Sequence, residues 1–166
     1  MKVFIEEQKF NQPLVIAGLS IAFIAIGFAP LNNWGKIATR SIGEQIGALS
    51  GIVVLLIVAT LFIFMKLKTR VDEIGIHYQF YPFHFSYKII SWKLISKCYI
   101  RKYDAISEFG GWGIKFSFLQ KKRKSFTTKG NIGLQIELKS GQKILLGTQK
   151  KEELQRTLDN YNFTIF

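Results

Sequence analysis

Two long stretches without a charge fill much of the first 65 residues, and they limit what the chain can fold into. One covers 14–31, LVIAGLSIAFIAIGFAPL, and the other 46–65, IGALSGIVVLLIVATLFIFM. As helices they reach roughly 27 and 30 Å, matching a bilayer hydrocarbon core of about 30 Å. A soluble hairpin this apolar would need a partner layer of matching size, so the pattern predicts two transmembrane helices within an anchor spanning 1–65. The first run is expected to be retained and not cleaved as a leader. Glu6 and Glu7 precede it, its small-residue site Gly27-Phe28-Ala29 is followed by Pro30, and a second span comes after it.

Basic residues set the expected orientation. Lys2, Lys9, Lys66, Lys68 and Arg70 flank the outer ends of the two runs, against Lys36 and Arg40 in the connecting loop. Five against two places both termini in the cytoplasm and the loop outside, in a multi-pass protein of the inner (plasma) membrane. Lys66, Lys68 and Arg70 are then membrane-surface cations. Of the net charge of +12, +11 belongs to 66–166, which holds 19 Lys and Arg against 8 Asp and Glu. Such a balance suits an anionic membrane surface or nucleic acid. Nucleic acid is disfavoured, because the aromatic residues fall on alternating core positions and not among the basic ones. The single cysteine, Cys98, cannot form an intramolecular disulfide and reads as a small buried strand residue.

In the second run Gly43, Gly47 and Gly51 recur every four residues, a spacing that lets helix backbones approach closely. They would either pack the two helices together or join protomers. From Lys66 the apolar period drops to two. Leu67, Thr69 and Val71 alternate with Lys68 and Arg70, and Ile76, Tyr78 and Phe80 with His77 and Gln79. Phe83, Phe85, Tyr87 and Ile89 continue the pattern as an expected core face, with both histidines, His77 and His84, toward solvent. Further strands are expected at 97–103, at Ile114, Phe116 and Phe118, and at Ile132 to Leu138, the last followed by a Ser140-Gly141 hairpin turn. Leu154, Leu158 and Tyr161 then mark one stripe of a terminal helix, with Thr148 as its expected N-cap.

About seven strands closed by one helix resemble a pleckstrin-homology (PH)-type barrel. The stretch TRVDEIGIHYQFYPFHFSYKIISWKLISKCYIRKY resembles the opening of bacterial PH-like domains fused to membrane helices, through Asp72-Glu73, Gly75-Ile76, Tyr78, Ile90, Trp92, Ile95 and the Tyr99–Arg101 strand. The resemblance covers 66–166. It implies an α+β membrane protein, a two-helix hairpin followed by a cytoplasmic PH-like antiparallel β-barrel or sandwich capped by a C-terminal α-helix. Such folds bind phosphoinositides, peptides or other proteins, and the fold does not select among these.

Catalytic patterns are weak. The segment GGWGIKF precedes a strand and not a helix, so it does not form a phosphate loop, and its glycines read as a bend with Trp112 as a core or rim anchor. Asp72-Glu73 reads as an acidic pair flanking a turn. Neither histidine has a Cys or carboxylate at ligand spacing, and no cofactor or metal is expected. The remaining candidate is basic: Lys121, Lys122, Arg123 and Lys124, with Lys129 beyond, expected in a loop as either a solvated run or a dock for lipid phosphates. The sequence therefore predicts a non-enzymatic membrane module that binds a protein partner, itself or anionic lipid. The alternative is an accessory subunit of a membrane transport or envelope-stress system.

Overall fold

The computed structural model describes residues 3–116 and 122–161, with the backbone alone described at 29–31, 34 and 48. The fold is α+β, with two β-sheets and a C-terminal helix. The chain divides into two units. One joins the residues up to Phe10 with Met65 onward, and the other is Asn11–Phe64.

The β unit begins with a strand that lies inside the expected 1–65 anchor. Strand β1 (Phe4–Lys9) pairs antiparallel with β2 (Lys66–Val71), Phe4 opposite Val71 and Lys9 opposite Lys66. Its alternation is FIEEQK, and the inward residues Phe4, Glu6 and Gln8 are all buried. Two of these three are polar, which hides the strand from an apolar-period search. They are satisfied across the domain. Gln8 Nε2 donates to the Gly147 carbonyl at 2.7 Å and its Oε1 accepts from Thr128 at 2.9 Å. Glu6 accepts from the Thr148 hydroxyl and the Gln149 amide, both at 2.7 Å. A buried charge persists only with such partners.

The first sheet runs β1-β2-β3-β4, with β3 at Gly75–Tyr81 and β4 at Lys88–Ser91. A single 3-10 turn at Trp92–Leu94 leads to β5 (Ile95–Lys102), and α4 (Ala105–Phe109) follows. The second sheet has the order β5-β8-β9-β7-β6, with β6 at Gly113–Phe116, β7 at Arg123–Thr127, β8 at Ile132–Leu138 and β9 at Lys143–Gly147. Among the described residues eight strands lie in 66–166, where about seven were expected, and β1 adds a ninth from outside that range. Strand β7 pairs with β9 in parallel, so the second sheet is mixed and not purely antiparallel. The β8–β9 hairpin turns at Gly141, whose φ of 80° suits glycine.

The inner faces meet through Tyr78, Phe80 and Phe126, with the Tyr78 and Phe126 rings 4.9 Å apart. Helix α5 (Lys151–Asn160) lies against β1 and buries Leu154 and Leu158, the expected stripe. Tyr161 stacks on Trp92 at 5.3 Å. Thr148 is not the cap. Lys150 holds that position, and the Thr148 hydroxyl, while donating to Glu6, accepts the Lys150 amide at 3.1 Å.

In three places the outward and inward faces differ from expectation. His77 is buried, with Nε2 2.9 Å from Asp72 Oδ1. His84 is half-buried, its ring 5.5 Å from that of Phe126. Conversely, Phe83, Phe85, Tyr87 and Ile89 are exposed, Phe85 by 86%. A turn after Tyr81 breaks the alternation, so only Ile90 of this stretch reaches the core.

The helical unit holds α1 (Pro13–Asn32), the short α2 (Trp34–Ala38) and α3 (Ile42–Phe64). At the start of α3, Glu44 Oε2 reaches back to accept from the Ser41 amide at 3.2 Å and from its hydroxyl at 3.1 Å, one half of a capping box. Among the described residues α3 is long and apolar enough to cross a membrane. Its best window has a mean hydropathy of 2.8 and only 6% of it is buried. The apolar stretch described in α1, Pro13–Phe28, is shorter. Helices α1 and α3 touch where Gly51 leaves room, since a Cβ there would lie 3.2 Å from Ile26 Cγ2. At Gly43 and Gly47 a Cβ would meet nothing within 4 Å, so of the three glycines only Gly51 serves packing inside the unit.

Candidate functional site

The outer face of the second sheet carries an open pocket of about 270 Å³ lined by Tyr99, Arg101, Glu108, Arg123, Gln135, Glu137 and Lys143. Alternation puts these side chains there: Tyr99 and Arg101 are two apart on β5, and Gln135 and Glu137 two apart on β8. Register then closes the set, with Tyr99 opposite Gln135, Glu137 opposite Lys143, and Arg123 opposite Lys143.

Glu108 comes from α4, and its position follows from local sequence. Asp104 caps that helix by accepting from the Ile106 and Ser107 amides at 2.9 and 3.1 Å. Gly110, at φ 70°, ends it in the left-handed region, and the Gly111 amide donates to the Ala105 carbonyl at 2.7 Å. The GGWG segment is thus a bend, as expected, and it also caps a short helix that was not expected from sequence. Trp112 packs half-buried beside Tyr103, Ala105 and Leu145, donating Nε1 to the Gly130 carbonyl at 2.9 Å.

The pocket's charges are paired. Arg101 holds Glu108 through two bonds of 2.9 and 2.8 Å, and Arg123 reaches the same carboxylate at 3.3 Å. Lys143 binds Glu137 at 2.9 Å, and the Tyr99 hydroxyl donates to it at 3.1 Å. The Arg101 hydrogen bond holds the Glu108 carboxyl below its usual range, against the opposing effect of burial. Lys143 does the same for Glu137. Burial, helped by Glu137, raises Tyr99. At neutral pH the site therefore holds three cations against two carboxylates, a net +1, with a protonated phenol. Among the described lining residues there is no carboxyl poised to exchange a proton near neutrality and no thiol or serine nucleophile. What it offers chemically is attraction for an anionic group that can compete for the guanidinium donors.

The basic residues named from sequence are not brought together as a set. Lys121 lies outside the described residues. Lys122 is exposed, its Nζ 3.4 Å from the Ser140 carbonyl. Arg123 and Lys124 lie in strand β7 and not in a loop, so they point to opposite faces. Arg123 joins the pocket and covers the Phe109 ring at 5.4 Å, while Lys124 lies over Phe116 at 5.6 Å. Lys129 is half-buried, and its carbonyl accepts from Gln149. Lys66, Lys68 and Arg70 do share the outer face of β2. Glu7 binds the first two at 3.2 and 3.5 Å, and Asp72 binds Arg70 at 2.9 Å.

Two groups singled out from sequence have structural roles. Asp72 accepts from His77 and from the Ile74 and Gly75 amides at 3.0 and 3.3 Å, and its carbonyl accepts from Trp92 Nε1 at 2.8 Å. Cys98 is buried, and desolvation pushes its thiol up to about 12. Among the described residues no group of three His, Cys, Asp or Glu side chains is placed to hold a metal ion.

Of the pocket residues only Arg123 is a binding candidate from sequence, and Tyr99 and Arg101 are named there only as part of a strand. The alternation of β5 and β8 shows that their polar residues share a face. The pairing across 30-odd residues that joins them to α4 and β7 leaves no local signal. Comparisons with protein-family models, with curated proteins and with solved structures return no match.

Proposed function

We propose that the chain is a membrane-anchored, PH-like interaction module. Helices α1 and α3 cross the plasma membrane as a hairpin and hold the β unit on its cytoplasmic side, where it binds anionic lipid or a protein partner without catalysing a reaction. The observation that carries this reading is the insertion of an apolar helical unit between two paired strands. Because Lys9 lies opposite Lys66, both ends of that unit return to one strand end, which calls for an even number of crossings. An apolar helix with so little of its surface covered is costly in water and stable in lipid. The PH likeness draws support from two packed sheets closed by a C-terminal helix, while the parallel β7–β9 pair departs from a simple meander. The net-positive pocket supplies the anion-attracting surface.

Alkaline carbonate extraction tests the anchor. The full chain should stay in the membrane fraction, and a chain with 11–64 replaced by a short polar linker should wash out. Release of the full chain would overturn the proposal.

One observation favours the second reading, an accessory subunit of a larger membrane assembly. Gly43 and Gly47 present an open small-residue face that a helix from another chain would fit.

A further inference from the structure

We propose that the loop joining β3 to β4, with Phe83 and Phe85 at its tip, inserts into the headgroup layer of an anionic membrane; this rests on the anchor reading above. The argument starts from register. Lys9 lies opposite Lys66, and Lys66 lies opposite Tyr81. The Phe10 amide donates to the Met65 carbonyl at 3.0 Å, so pairing runs to the last residues before the chain passes into Asn11–Phe64. The loop after Tyr81 therefore starts at the very edge of the β unit where the chain leaves for the helices and returns from them.

The loop is braced in a form that shows its apolar residues outward. The His84 amide donates to the Phe80 carbonyl at 2.8 Å, and Gln79 Nε2 donates to the His84 and Phe85 carbonyls at 3.1 and 3.0 Å. The His84 ring turns inward onto Tyr78 and Phe126, at 5.8 and 5.5 Å. Phe83 and Phe85 are left 58% and 86% exposed, with Tyr87 and Ile89 exposed behind them. Hydrogen bonds that fix a loop with two phenylalanines in water make sense when water is not what surrounds them.

Charge selects lipid as the occupant. Exposed Lys9 and Lys88 and half-buried Lys66 and Lys68 border this edge, and burial first, then the charges of Lys88 and Lys124, lower the pKa of His84. The carboxylate beside them, Glu7, is shared between Lys66 and Lys68. Aromatic residues ringed by lysines match the interface of a bilayer containing anionic headgroups.

The test places a bimane label on Phe85→Cys in the full chain, reconstituted in vesicles of phosphatidylcholine and phosphatidylglycerol. Native Cys98 is buried and does not compete for the label. Reference labels sit at Val53→Cys on α3 and at Lys139→Cys. Lys139 marks the far edge, since its amide donates to the Leu94 carbonyl and Gly75 pairs with Ser91 at the opposite end of β3. Lipids with a doxyl group near the headgroup should quench the Phe85 label at least about twofold more than the Lys139 label, with the order reversed for aqueous iodide. If Val53 is quenched by lipid and Phe85 behaves like Lys139, the anchor stands and this inference falls. A Phe85 label shielded from both quenchers means that a protein covers the loop, which also overturns it. If Val53 is not quenched by lipid, both readings fall together.

Discussion

Asp72 shows how much one side chain organises in the β unit. It is buried, yet it binds Arg70 and His77 and receives two backbone amides, so the turn between β2 and β3 closes around it. Burial acts to raise its carboxyl, but the His77 hydrogen bond and the two amides outweigh that and hold it below the usual 3.8. A depressed carboxyl contributes stability above its unfolded pKa and loses it as pH falls through the folded one. The Asp72 contribution should therefore be complete at neutral pH, begin to fall as pH drops toward 3.8, and be gone only below the still lower folded pKa. Asp72→Ala leaves buried donors without an acceptor and should cost about 3 kcal/mol at pH 7, checked by denaturant titration, with the penalty shrinking in acid. Sequence spacing identified a turn here, but not the burial, because the partner His77 sits at a position that alternation assigns to solvent. Cys98 gives a second test at this scale. With its thiol pushed up to about 12, it should react with iodoacetamide only after the β unit unfolds, and native reaction at a comparable rate would contradict its burial.

At the scale of elements, β1 decides whether the β unit holds together. Phe4 is fully buried, and Glu6 and Gln8 link the first sheet to β9 and to the chain after it. Phe4→Ala should destabilise the unit by about 3–5 kcal/mol in denaturant titrations, while Ile5→Ala, on the exposed face, should change little. Fragment 65–166 should fail to unfold cooperatively, whereas 1–10 joined by a short linker to 65–166 should. In the helical unit, Gly51→Leu should disturb the α1–α3 contact at Ile26, and Gly47→Leu should leave it intact. The strands with apolar alternation, β2, β3 and β8, and the stripe of α5 were legible because each writes its own period into the chain. Strand β1 was not, since two of its three inward residues are polar and their partners lie some 140 residues away. The loop of Phe83 and Phe85 misled for the converse reason. Alternation persists through a turn, where it no longer reports a buried face.

Across the whole molecule, the two apolar runs and the charge concentrated after them were readable, and they still carry the functional reading. The pocket of Arg101, Arg123 and Lys143 was not, because it exists only once β5, β7, β8, β9 and α4 are assembled. What ties the proposed anchor and the β unit into one account is the insertion of the helices between β1 and β2, which the proposed reading explains by an outward and a returning crossing. The most direct measurement labels single cysteines in intact cells with a membrane-impermeant maleimide, at Thr39→Cys between the helices and at Lys139→Cys in the β8–β9 turn. The account predicts that Thr39→Cys reacts from outside and that Lys139→Cys reacts only after the membrane is opened. Reaction of both from the same side would contradict a helical hairpin that crosses the membrane.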